Sequence, residues 1–301
     1  MEEIGIIRIL SFIAMLCGAG IMVSTTMRYR KLLKYNAEEA YDSHRTSWVS
    51  PVIPLTMMYI FIFGFFVGMA DNLMRQVEPI YLFVSFIFFL GAVFINASVV
   101  TQTDMATMLR NKSMEVMRTF VNAIDMKDSY TKGHSQHVYQ IVDLFYEALP
   151  EQMQHKIKKP KLLDAALLHD IGKLNIEDTI LNKRGTLTEA EWEVIRMHPL
   201  NGKKMMDCTC FVEISDWVLF HHERIDGNGY YKIAKEDIPL ESRIIAIADT
   251  YSALCTDRVY RDKCSHQDAL VVMRDVAGTQ LDAELLQVFF TISQRALQAI
   301  L

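Results

Sequence analysis

Cysteine is scarce in this chain. There are five in 301 residues, and neither their number nor their placement suits a disulfide framework. The count is odd, Cys17 lies inside an apolar run, and Cys208 and Cys210 are too close together for an ordinary bridge or a zinc knuckle. Cys255 and Cys264 complete the set, and all read as reduced thiols of a cytosolic compartment. A basic surplus is also missing. Thirty-one Lys and Arg stand against thirty-six Asp and Glu, for a formal net charge of −5, so no nucleic-acid polymer is expected as a partner. A secretory leader is absent from the reading as well. The chain opens Met1-Glu2-Glu3 instead of with a basic segment, and Ala14-Met15-Leu16-Cys17 offers no convincing cleavage or lipidation site.

Long apolar runs are present, and they are confined to about the first hundred residues. They cover about 4–25, 49–70 and 80–100, each near the ~20 residues that cross a bilayer. Arg8 lies close enough to one end of its run to snorkel, and Pro51 and Pro54 are expected to kink or delay the start of the second run. No charged residue sits mid-run, which argues against an ion path or a pump. Arg28, Arg30, Lys31, Lys34 and Arg45 separate runs one and two, whereas only Arg75 separates runs two and three. The positive-inside rule then puts the first loop and everything after residue 101 in the cytoplasm, beneath a lipid bilayer partner.

Residues 102–127 carry Met105, Met108, Leu109, Met114, Met117, Phe120, Val121 and Ile124 at helical spacing. An amphipathic connector helix follows from this. It either packs on the domain that comes after it or forms the stalk of a homodimer, and no clear heptad separates the two readings.

From 128 to 301 the chain reads as a soluble helical domain, with 266–301 as two closing helices. Its centre is Leu167-Leu168-His169-Asp170-Ile171-Gly172-Lys173, where an adjacent His-Asp pair ends an apolar helical run. Imidazole and carboxylate are ligands for divalent transition metals. Gly172 lets the backbone turn, and Lys173 adds a point charge suited to phosphate. Most of the nine histidines fall in short segments of this kind: His134 and His137 in 128–137, His198-Pro199, and His221-His222-Glu223. Asp249 lies in an apolar helical stretch. Ligands scattered over several helices of a bundle are how helical proteins build dinuclear sites.

The ordered set Tyr130-Thr131, Gly133-His134-Ser135, His169-Asp170-Ile171-Gly172-Lys173, His198-Pro199, Gly202, His221-His222-Glu223, Asp226-Gly227-Asn228-Gly229-Tyr230-Tyr231 and Asp257-Arg258, Tyr260-Arg261 resembles the HD-GYP family. This is the branch of the HD phosphohydrolases that hydrolyses cyclic di-GMP, and the resemblance covers about 120–295. It implies an all-α HD bundle, which would follow the three transmembrane helices read from the apolar runs. It implies two divalent metals, iron or manganese: one on His134, His169, Asp170 and Asp249, the other on His198, His221 and His222, with Asp170 bridging. Asp170 and Lys173 are then catalytic residues, while Lys173, Arg258 and Arg261 contact substrate phosphate. A third metal is not expected, since no Glu lies in 128–138.

The implied activity is a membrane-anchored cyclic di-GMP phosphodiesterase in the bacterial inner membrane. Water activated between the two metals attacks phosphorus in line with the leaving 3′ oxygen, giving pGpG and, by a second step, GMP. A non-catalytic cyclic dinucleotide receptor and a phosphodiesterase for another cyclic dinucleotide are the alternatives. Two residues depart from the family pattern. Tyr231 stands where the family name has Pro, in a loop tied to substrate access and to contact with diguanylate cyclase domains. His137 stands where Arg is usual, as a packing residue or a pH-sensitive group. Residues 223–243 are expected to form a loop over the site, with Gly227 and Gly229 supplying unusual backbone angles.

Overall fold

The computed structural model describes residues 2–39, 52–74, 79–128, 133–209, 211–256 and 264–300. The chain divides into two compact units, Met1–Ser113 and Met114–Leu301. Among the described residues every regular element is helical, and the extended backbone amounts to one isolated bridge between Ala277 and Leu281.

The first unit holds α1 (Glu2–Glu39), α2 (Val52–Met74) and the beginning of α3 (Pro79–Lys127). Pro54 lies in the first turn of α2, where its missing N–H costs no helical hydrogen bond. Stretches Gly5–Lys31, Pro54–Asp71 and one within Leu82–Lys127 are long and apolar enough to cross a membrane. Large apolar side chains such as Ile9, Phe63 and Phe94 are exposed on these helices. Close approach of the helices depends on small residues. A Cβ on Gly18 would meet the Phe65 ring at 2.4 Å, and one on Gly68 would meet Met15 at 3.0 Å. Polar cross-links between α1 and α3, which the hydropathy reading did not single out, join Ser11 to Ser85 (2.5 Å) and Thr25 to Asn96 (2.9 Å).

The second unit is a helical bundle around α4 (His134–Ala148), α6 (Lys159–Leu168) and α11 (Leu240–Cys255), separated in sequence by the short α5 (Glu151–Gln154), α7 (Asp178–Leu181), α8 (Glu189–Arg196), α9 (His198–Met206) and α10 (Ser215–Leu219). The apolar stripe of α4 is Val138, Ile141, Val142 and Phe145, all fully buried, and it begins one turn earlier at His134. The core face of this helix therefore starts at one of the predicted ligand side chains. Leu162, Ala165 and Ala166 of α6 meet it, as do Ile244, Ile245, Ile247, Ala248 and Tyr251 of α11. Phe289 closes the cluster, 5.2 Å from the Phe145 ring and 5.3 Å from Tyr251.

Three closing helices replace the expected two: α12 (His266–Asp275), α13 (Ala283–Phe289) and α14 (Gln294–Gln298). The extra break falls at Ser293, whose hydroxyl accepts the Ala296 N–H at 3.2 Å and starts a new helix.

Candidate metal centre

The predicted ligands arrive from different elements. His134 opens α4, His169 caps the C-terminal end of α6, and Asp170 precedes a single 3₁₀ turn, Ile171–Asn175. His198 opens α9, His221 and His222 follow α10, and Asp249 sits in α11. The fold brings all of them together. His134, His169 and Asp249 form one cluster and His198, His221 and His222 another, with ligand atoms within 4.8 Å of one another in each. Asp170 lies between the two. Its Oδ2 is 3.4 Å from His169 Nε2, and its Oδ1 is 3.2 Å from His198 Nε2. Asp249 Oδ1 stands 2.9 Å from His134 Nε2, and its Oδ2 is 4.0 Å from His222 Nδ1.

The proton positions follow from the hydrogen bonds. His169, His198 and His221 each place Nδ1 against a backbone carbonyl one turn back, at Ala166 (2.8 Å), Ile195 (2.8 Å) and Val218 (2.6 Å). A carbonyl only accepts, so each Nδ1 carries a proton, and Nε2 is the atom that presents a lone pair when the ring is neutral. Two such lone pairs face each other at 3.4 Å, on His198 and His221. His169 Nε2 is buried without a hydrogen bond. Ring nitrogens converging beside the buried Asp170 and the partly buried Asp249 are what a cation requires and what a hydrogen-bonded core avoids, so the donor set fits divalent metal ions.

Charge in the site is balanced tightly. Burial disfavours the Asp170 carboxylate, but Lys173 and His169 outweigh it and hold the group well below the usual range. Burial also opposes charge on His169, yet Asp170 and Asp249 push it up to about 9. Burial and neighbouring imidazoles drive His221 well down and His222 to about 3, so both stay neutral and able to bind metal. Asp249 is held low by His134, against its burial.

The centre floors a cleft of about 620 Å³. Lys173, Lys183, Arg224 and Tyr230 also line it, together with apolar residues such as Leu187, Trp192 and Ile195. Lys173 is held on two carboxylates, 2.7 Å from Asp170 Oδ2 and 2.9 Å from Asp128 Oδ2. It therefore positions the Asp170 carboxylate as well as facing the cleft. Arg258 and Arg261 lie outside the described residues, as do Tyr130 and Thr131. His137 is buried and shares the Ser252 hydroxyl with His134, at 2.8 and 2.9 Å respectively; burial and the nearby His134 lower it to about 4.

Two glycines have reasons other than backbone angle. A Cβ on Gly172 would fall 1.9 Å from the His198 carbonyl oxygen and 2.5 Å from Gly202 N, so glycine is what lets the Asp170 turn lie against the start of α9. Gly229 was expected to need an unusual angle, but its φ is not positive; in this loop Gly227 has a positive φ, at 73°, as does Lys232, at 57°. Gly229 is required because a Cβ would sit 2.6 Å from Glu223 Cα.

Glu223 is the functional residue that motif reading underused. It is buried, and its carboxylate accepts the Tyr231 N–H at 2.7 Å and the Ile233 N–H at 3.1 Å, folding 226–233 back beside the ligands. A proline at 231 has no N–H to give, so Tyr231 makes a loop anchor that the usual family residue cannot. Glu223→Ala is expected to free the loop and raise the KM for a bound phosphodiester about tenfold or more while metal content stays within a factor of two, since buried N–H groups lose a charged acceptor. Steady-state kinetics with parallel metal analysis check this, and an unchanged KM refutes it.

Residues 118–285 match the family model described as the HD domain. The chain belongs to the HD-GYP family of HD-domain proteins. This HD-GYP protein is 38% identical over 168 residues to a cyclic di-GMP phosphodiesterase of Pseudomonas aeruginosa, covering 54% of this chain and 39% of that one. It is 35% identical over 171 residues to a 3′3′-cGAMP-specific phosphodiesterase of Vibrio cholerae, covering 56% and 36%. The HD-GYP chain thus spans well under half the length of these two relatives. A solved structure of a cyclic GMP-AMP specific phosphodiesterase of V. cholerae aligns at TM-score 0.47 and 18% identity, over 62% of this chain and 50% of that one.

Proposed function

We propose that this HD-GYP protein is a metal-dependent cyclic dinucleotide phosphodiesterase, held at the bacterial inner membrane by α1, α2 and the first part of α3 with its HD domain in the cytoplasm. The observation that carries this is the two imidazole clusters meeting at Asp170 on the floor of a cleft large enough for a dinucleotide. Two divalent cations there, iron or manganese by the mixed imidazole and carboxylate chemistry, would acidify water and neutralise charge on the scissile phosphate. His134, His169 and Asp249 would hold one, and His198, His221 and His222 the other, with Asp170 shared.

The chain's own contributions are orientation and charge. Backbone carbonyls lock three imidazoles with Nε2 inward, Lys173 fixes Asp170, and Glu223 holds the 226–233 loop, whose Tyr230 ring lies 4.8 Å from that of His222. Cyclic di-GMP is the proposed substrate, with pGpG as product and GMP as a further one. The hydrolysis of 3′3′-cGAMP is a specific second reading, because relatives named for each activity match with similar identity. A homodimer through α3 and contact with a diguanylate cyclase domain remain part of the proposal.

The test is the full chain in detergent, loaded anaerobically with iron or manganese, with both cyclic dinucleotides followed by chromatography. Linear product from cyclic di-GMP at the higher kcat/KM supports the proposal. Preference for cGAMP moves the second reading to the front. Metal bound without any product identifies a receptor.

A further inference from the structure

The last turn of α3 reaches both edges of the metal centre. On one side, Asp125 is buried and accepts from Ser135, the residue after His134, through the backbone N–H at 3.2 Å and the hydroxyl at 2.8 Å. This fixes the first turn of α4, from which His134 projects. On the other side, Lys127 and Asp128 seize the segment that follows His169-Asp170. Lys127 Nζ donates to the carbonyls of Leu174 at 2.9 Å and Ile176 at 2.6 Å and lies 3.5 Å from Asp178 Oδ1. Its own carbonyl accepts from Asn182 Nδ2 at 2.8 Å. Asp128 reaches Lys173, which in turn reaches Asp170.

None of these groups needs to touch a metal. Together they set the distance between the α4 edge of the site, bearing His134, and the 170–182 edge, bearing Asp170. We propose that the α3 terminus, through Asp125, Lys127 and Asp128, is a positioning clamp whose grip determines how tightly the centre retains its metals. Any rotation or sliding of this last turn moves the anchors together, since they lie within four residues at the end of one helix, whereas an isolated side-chain contact would let one edge relax alone. Partners beyond the direct ligands are worth about 10–100-fold in metal affinity at other sites, which sets the scale. The inference rests on the metal-centre reading given above.

Lys127 is the place to test it, because it is partly exposed and is neither a ligand nor in contact with one. The full chain is loaded with manganese in detergent, and loss of the ion to excess chelator is timed for wild type, Lys127→Met, Lys127→Arg and Asn182→Ala. The thermal midpoint of each metal-free protein is measured alongside. Lys127→Met and Asn182→Ala should release manganese about tenfold faster, Lys127→Arg should restore most of the retention, and the metal-free midpoints should stay together. Equal release from all four proteins would overturn the clamp and leave the metal centre standing. Faster release that merely tracks a lower metal-free midpoint, without rescue by Arg, would overturn it in favour of general packing. Wild-type protein that takes up no manganese would overturn the metal reading itself, and the clamp with it.

Discussion

Asp170→Asn should empty the centre. The asparagine fills the same volume, but it removes the charge that lies within 3.4 Å of His169 and 3.2 Å of His198. A neutral amide cannot serve both imidazole clusters, and it presents N–H donors to bare nitrogens where a cation is meant to sit. Metal content should fall to near zero, and cyclic dinucleotide turnover should drop about 1000-fold or more, equivalent to about 4 kcal/mol of lost transition-state stabilisation. Elemental analysis and single-turnover assays measure the two effects independently. A variant that keeps more than a tenth of wild-type turnover would show that Asp170 is not shared between the clusters.

Gly172→Ala should be the most damaging single-methyl change in the HD domain. The new Cβ has nowhere to go, because the atoms it meets are the His198 carbonyl oxygen at 1.9 Å and the Gly202 nitrogen at 2.5 Å, both backbone. Either the turn after Asp170 or the start of α9 must shift, and each carries a predicted ligand. Overpacking usually costs about 1–3 kcal/mol and more where backbone must move, so about 3 kcal/mol is a fair expectation. For a domain of this size that lowers the thermal midpoint by roughly 6–12 °C. Calorimetry on the metal-free protein isolates the packing cost, and metal titration then reads the displacement of His198 from Asp170. A midpoint within about 2 °C of wild type would mean that the close approach is not maintained in solution.

The two changes act on different levels. Asp170→Asn removes a charge from a centre that remains well packed, so stability and metal binding should separate. Gly172→Ala damages the packing that holds the centre, so both should fall. Comparing them distinguishes a ligand from a residue that only lets ligands approach.

The candidate site was legible to an unusual depth because its chemistry is local in sequence. His169-Asp170 and His221-His222 are adjacent pairs, and His198-Pro199 marks a helix start. What escaped the reading was long-range pairing. Asp128 and Lys173 are 45 positions apart, Lys127 and the Ile176 carbonyl 49, and the Lys127 carbonyl and Asn182 55. Nothing in the spacing of such residues announces that they meet. Glu223 was visible only as a companion of two histidines, since its partners are backbone N–H groups, which every non-proline residue has. Gly229 was assigned a conformational reason when the real one is a neighbour at 2.6 Å from the missing Cβ.

The sequence by itself determined the class of each half. Three apolar runs of bilayer length have few other uses in water, and helical apolar spacing with histidines gathered in short segments marks the rest as a helical domain with ligands on several helices. It also determined the ligand types, because imidazole and carboxylate are properties of residues and not of folds. Only the tertiary structure decided that Lys173 is spent on Asp170 and Asp128, and that the end of α3 contacts both sides of the centre. Hydrophobic periodicity specifies which face is buried but not what it is buried against, and partners are chosen by the whole packing.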